Sequence, residues 1–109
     1  MEFQADTLDD RGWVVDFGGL KQIKSFLVDH FDHKTIVAKD DPLLEDFLEL
    51  HEKALCDLVI MDAVGCERFA EEIFKQADAF INRSEYAGRV RLKMVEVMEH
   101  PGNSAICEA

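Results

Sequence analysis

From Arg89 to Glu99 the chain reads RVRLKMVEVME, eleven residues in which apolar and polar side chains alternate. A period of two belongs to a strand, because successive side chains leave a strand on opposite faces. Val90, Leu92, Met94 and Met98 share one side while Val95 and Val97 join the other, so this strand is expected to begin half exposed and end buried on both faces. PGN at 101–103 is a turn, and SAIC after it suffices for a short last strand. A sheet built on this hairpin needs a cover for its apolar face.

The cover is written at a different period. Leu20, Ile23, Leu27 and Phe31 recur at helical spacing, with Asp16 placed to cap the first turn and a helix end expected near His30 to His33. Asp41 and Pro42 start a second, short helix carrying Leu44, Phe47, Leu48, His51 and Leu55. After the apolar run LVIMDA at 58–63, Gly65 opens a third helix whose stripe is Phe69, Ala70, Ile73, Ala77, Phe80 and Ile81. At the front, EFQAD is read as the tail of a strand, TLDDRG as a turn in which Gly12 supplies a positive φ, and Trp13, Val15 and Phe17 as one apolar face of a second strand. Strands in adjacent pairs with helices between the pairs point to an α+β fold, an antiparallel sheet with helices on one face, rather than a doubly wound parallel sheet. A front strand that starts halfway leaves an edge unpaired, and an N-terminal strand is therefore expected to be missing.

The 109 residues, 48% of them apolar, form one domain that buries roughly two-thirds of its unfolded surface. Twenty-three acidic against twelve basic residues give a net charge of −11, which opposes nucleic acid and anionic lipid alike. Arg83, Arg89, Arg91 and Lys93 are a local exception, either a site for an anionic group such as a phosphate or solvated cations on a strand face. Cys56, Cys66 and Cys107 are odd in number and far apart, which favours neither disulfides nor a zinc knuckle and makes a reducing cytoplasm the simplest home. No basic leader segment or membrane-length apolar run is visible.

Asp32 and His33 stand side by side where the first helix stops. A carboxylate bonded to an imidazole fixes its tautomer for proton transfer near neutral pH. Adjacent residues do not usually bond each other, so each is expected to face a different neighbour; the alternative is a histidine on the free carbonyls of a helix end. His30 with Asp29, Asp32 and His33 is a weak metal signal against a solvated helix end, His51 lines its helix, and Cys66 is either an activated thiol or small filler. Glu99 is expected at the buried end of the long strand, where an unpaired carboxylate is costly. Its partner is either a bidentate donor edge such as that of a pterin or guanine, or the backbone amides of the PGN turn.

GWVVDF at 12–17 running into LK at 20–21, the Asp-His of FDHK, CERFA at 66–70 and VEVMEHPGNSA at 95–105 occur in an order and spacing that resembles the 6-pyruvoyl-tetrahydropterin synthase and 6-carboxytetrahydropterin synthase family. The resemblance implies a tunnelling-fold subunit that joins its sheet to others in a homo-oligomer, commonly a hexamer. It also implies a zinc-dependent lyase acting on dihydroneopterin triphosphate; in the bacterial branch the product is 6-carboxytetrahydropterin, on the way to queuosine. Asp32 and His33 then match the family's proton-relay pair and Glu99 the glutamate that anchors the pterin ring, while Gly65 and Cys66 replace a common Thr or Ser and Cys107 a common aromatic. The family's zinc histidines and reactive cysteine have no counterparts, so residues 1–109 are expected to be a member domain lacking its N-terminal zinc-binding segment, with no metal ligands of its own and no activity alone. The alternative is a non-catalytic pterin- or purine-binding module or assembly subunit.

Overall fold

The computed structural model describes all 109 residues. Its elements are β1 (Glu2–Ala5), a 3-10 turn (Phe17–Leu20), α1 (Lys21–Phe31), β2 (Thr35–Ala38), α2 (Leu44–Glu52), β3 (Leu58–Met61), α3 (Cys66–Arg83), β4 (Val90–His100) and β5 (Asn103–Glu108). The fold is α+β. β4 lies between β1 and β5, antiparallel to both, and α3 packs on β4 and β5 with α1 beside it. The second pair of strands departs from an all-antiparallel arrangement: β2 and β3 run parallel, in a two-stranded sheet of their own. Parallel neighbours need a crossover, and α2 is that crossover.

Of the buried stripe Ala70, Ile73, Ala77 and Ile81 of α3, Ile73 and Ala77 meet Ile23 of α1 and Leu92 and Val95 of β4 in one core cluster, and Ile81 meets Val15, Tyr86 and Val90 in a second. The long strand does not keep one phase, because Phe3 pairs with Leu92 and Glu2 with Met94, leaving Lys93 as an extra residue in β4. A bulge of this kind moves the buried set to the other parity, so Val90 and Leu92 are followed by Val95 rather than Met94. The expected direction of burial is also reversed. β4 is buried at its start and exposed over its last three residues, Met98, Glu99 and His100, which run beyond the core.

Trp13 to Phe17 is not a strand. The carbonyls a sheet partner would need are taken by Arg89, whose guanidinium donates to Thr7 O at 2.9 Å and Val14 O at 2.8 Å, while the Asp9 carboxylate accepts from the amides of Arg11 and Trp13. Only Val15 of the expected apolar face is buried; Phe17 is 84% exposed. Gly12 does adopt φ +80°. Asp16 caps as expected, accepting from Gly18 N at 2.9 Å, but it caps the 3-10 turn that leads into α1. Asp41 likewise accepts from Leu43 N one residue before α2 begins, and α2 ends at Glu52, which leaves Leu55 outside it. Gly19 is required by space, since a Cβ there would overlap the hydroxyl of the buried Tyr86 at 2.1 Å.

Candidate functional site

The amphipathic α1 delivers Asp32 and His33 to one spot. Asp32 closes the helix, its amide donating to Val28 O at 3.2 Å, and adopts extended φ/ψ. His33 follows at φ +57°, the left-handed conformation that reverses the chain into β2. Glycine or asparagine usually stands at such a position, and a β-carbon there costs about 1–2 kcal/mol. Backbone strain of this kind collects at functional sites.

The two side chains bond each other: His33 Nδ1 lies 2.9 Å from Asp32 Oδ1, contrary to the expectation that each faces a different neighbour. The left-handed backbone makes the difference, because it folds the imidazole back over the preceding residue. An ionised carboxylate only accepts, so Nδ1 carries the proton and the lone pair of Nε2 is free. The His33 side chain is 91% exposed and the Asp32 side chain 59%. This arrangement offers an oriented base at Nε2 to whatever approaches the end of α1. His30 takes no part: its Nδ1 donates to Phe26 O at 3.0 Å and its ring packs against Phe26 at 4.4 Å.

Glu99 is the penultimate residue of β4. Met98 pairs with Ser104 and His100 with Asn103, so Glu99 is the residue without a partner on β5, a second bulge. Sequence reading placed it at a buried end; it is exposed, and its carboxylate is bonded to no amide of the PGN turn. The amide of Gly102 goes instead to His100 Nδ1, at 3.1 Å. Bulges re-aim side chains at the rims of sheets, and here the side chain is a carboxylate free to accept from a ligand.

Three of the four basic residues, Arg89, Arg91 and Lys93, are spent on structure. Arg89 ties down the 7–14 loop, Arg91 forms a two-pronged bond to the Asp6 carboxylate at 2.9 and 3.2 Å, and Lys93 reaches Glu2 at 3.2 Å. The Arg91 guanidinium holds the Asp6 carboxyl below its ordinary value. His51 accepts the Leu58 amide at 3.1 Å and so anchors the entry to β3. Lys34 pairs with Asp57 and lowers its carboxyl, a link between the starts of β2 and β3 that the pattern of apolar residues does not signal. The role of His100 has a local signal, an acceptor side chain two residues before a turn amide.

A cleft of about 570 Å³ opens between α1, β3 and α3, lined by Phe26, His30, Phe31, Ile60, Arg68 and Lys75 among others, and an apolar one of about 550 Å³ lies beside Phe3, Trp13 and Phe17. Neither is lined by Asp32, His33 or Glu99. No group of three or more His, Cys, Asp or Glu side chains is placed to hold a metal ion.

The sequence matches the family model described as 6-pyruvoyl tetrahydropterin synthase over residues 1–109. The chain belongs to the 6-pyruvoyl tetrahydropterin synthase family. Among solved structures, the crystal structure of an uncharacterized protein from Wolinella succinogenes is similar at 23% identity, with a TM-score of 0.78 over 97% of this chain and 72% of that one. That likeness is one of fold. No curated protein matches. Membership of the 6-pyruvoyl tetrahydropterin synthase family supports a tetrahydropterin-synthase-like function of the lyase type, and family members are typically zinc-dependent and oligomeric. The zinc of that family finds no fitting ligand set within this chain. No helix is long and apolar enough to cross a membrane.

Proposed function

We propose that the chain serves a lyase of the 6-carboxytetrahydropterin synthase type, which converts dihydroneopterin triphosphate to 6-carboxytetrahydropterin in 7-deazaguanine biosynthesis in the cytoplasm. The observation that carries the reading is the Asp32–His33 hydrogen bond of 2.9 Å on a left-handed, exposed helix end, a base whose tautomer is fixed and whose second nitrogen is free. In this reading His33 takes a proton from the substrate side chain at Nε2 and returns it later, Asp32 holds the imidazole in register, and Glu99 accepts the N–H and NH2 edge of the pterin ring. Proton transfer by a positioned group contributes roughly 10²–10⁴-fold to rate. Since neither of the two large clefts of the single chain is lined by the pair or the glutamate, the working site in this reading draws them from neighbouring copies of a homo-oligomer. Domain 1–109 then supplies the proton relay and the ring anchor, and metal ligands come from elsewhere.

The test is turnover of dihydroneopterin triphosphate in the presence of zinc by the chain joined to a family zinc-binding segment, with the product identified by mass. His33→Ala is expected to lower the rate by about 10²-fold or more with substrate affinity nearly kept. An unchanged rate removes His33 from the mechanism. A second reading, a pterin- or purine-binding module without catalysis, is favoured by the lack of any metal-holding cluster. Zinc-independent pterin binding with no turnover at any zinc concentration would select it.

A further inference from the structure

We propose that His100 is a positioning residue for Glu99: its ring braces the β4–β5 turn and so fixes the bulge that presents the glutamate carboxylate. The proposal deepens the pterin reading and rests on it for the ligand. Its structural half stands on the hairpin alone.

The turn is Pro101-Gly102, closed by the pair His100 and Asn103. Two-residue hairpin loops favour turns with positive φ at their first central residue, because those match the twist of the strands. Pro101 fixes φ near −65° and forbids them. The mismatch in twist has to be absorbed next to the turn, and the extra residue inserted there is Glu99.

His100 holds this irregular corner in place. Its Nδ1 accepts the Gly102 amide at 3.1 Å, the side-chain-to-second-amide bond that Asn and Asp make in Asx turns. With Nδ1 accepting, the neutral ring carries its proton on Nε2, which lies 3.0 Å from Asn103 Nδ2; since both are then donors, the Asn103 amide bonds the ring in the orientation that exchanges its nitrogen and oxygen. Both ring nitrogens are thus engaged within the turn. Gly102 is not there for a left-handed φ, which only Gly12, Gly65 and Gly88 among the glycines adopt. It leaves room for the ring, because a Cβ would stand 3.1 Å from His100 Cε1 and 3.4 Å from Nδ1. An exposed carboxylate on a frayed hairpin would have to be ordered on binding; one on a braced bulge is ordered beforehand.

The experiment measures calorimetric affinity for 7,8-dihydroneopterin and hydrogen exchange at the Gly102 amide, on the full chain. His100→Ala is expected to weaken binding about tenfold, the scale of ordering one side chain on association. His100→Asn, which restores an acceptor to the Gly102 amide, should bind within about threefold of the parent. In a Glu99→Gln background the His100→Ala effect should shrink below about twofold, since the brace acts through the carboxylate. Exchange at Gly102 should be slow in the parent and in His100→Asn and fast in His100→Ala. Parent-like binding by His100→Ala, an undiminished effect without Glu99, or an Asn variant as weak as Ala would overturn the proposal. If the parent binds no pterin, the functional reading falls, and exchange alone decides the brace: equal rates in all three proteins sink it, and the slow, slow, fast pattern keeps it.

Discussion

The main sheet with α1 and α3 and the parallel pair β2–β3 with α2 are built to different standards. Ten of the eleven buried residues belong to the first region and its loops; Val37 alone represents the second. This second region exposes Leu43, Leu48, Leu50 and Leu55 in and around α2 and Ile60 in β3, and β3 faces α1 and α3 across a cleft of about 570 Å³ rather than through a packed core. Two parallel strands with one short crossover helix cannot close a core of their own. The contrast teaches that the candidate functional groups sit where the well-packed region gives way: Asp32 and His33 at the step from α1 to β2, Glu99 where β4 leaves the cover of α3.

The largest effect should come from cutting each region in the same way. Ile81→Ala, at a fully buried site, should cost about 3–4 kcal/mol, and Ile60→Ala, at a site 46% exposed, about 1 kcal/mol or less, by denaturant midpoint. Equal costs would mean that the parallel pair is packed as tightly as the core. Next in size is Gly19→Ala, expected to cost about 1–3 kcal/mol because its Cβ overlaps the Tyr86 hydroxyl. Adding Tyr86→Phe should recover part of that loss, and a Gly19→Ala protein of parent stability would show that the 3-10 turn is free to move.

The sequence reading succeeded where one physical signal acts alone. α3 and β4 are long, periodic and uninterrupted, and their type and extent follow from the spacing of Ala70, Ile73, Ala77 and Ile81 and from the alternation of 89–99. It failed where a distant group competes for the backbone. Trp13, Val15 and Phe17 alternate like a strand, but Arg89, some 75 residues later, takes their neighbouring carbonyls. The reversed burial of β4 has a similar cause: apolar content at 94–98 says that side chains want cover, and only the lengths of α3 and β4 together decide where the cover stops. Asp32, His33 and Glu99 were legible as residue types at element ends. The left-handed turn that joins the first two, and the bulge that frees the third, depend on register, which no local pattern fixes.

Regional difference should also appear in the order of local opening. Amides of β2 and β3 should exchange at least about tenfold faster than those of α3 and the first half of β4, because few apolar contacts oppose their opening. A uniform exchange rate across both regions would contradict the comparison. The smallest effect is in acid. Arg91 lowers the Asp6 carboxyl and Lys34 lowers that of Asp57 from the ordinary 3.8. For a lowered carboxyl the unfolded chain takes up its proton first, so each pair contributes stability above pH 3.8 that is lost as the pH falls through the still lower folded values. Asp6→Asn should therefore flatten the acid dependence of exchange in β1, and Asp57→Asn that in β2 and β3, each leaving the other region unchanged.

The proposed function divides the labour: the hairpin end of the main sheet would hold the pterin ring, and the α1 terminus would move a proton without adding to affinity. It is tested most directly by calorimetric titration of 7,8-dihydroneopterin into Glu99→Gln and His33→Ala side by side. Glu99→Gln is expected to weaken binding by about ten- to a hundredfold, the worth of a charge-assisted bidentate contact, while His33→Ala stays within about twofold of the parent. Equal losses in the two variants, or full affinity without the Glu99 carboxylate, would contradict it.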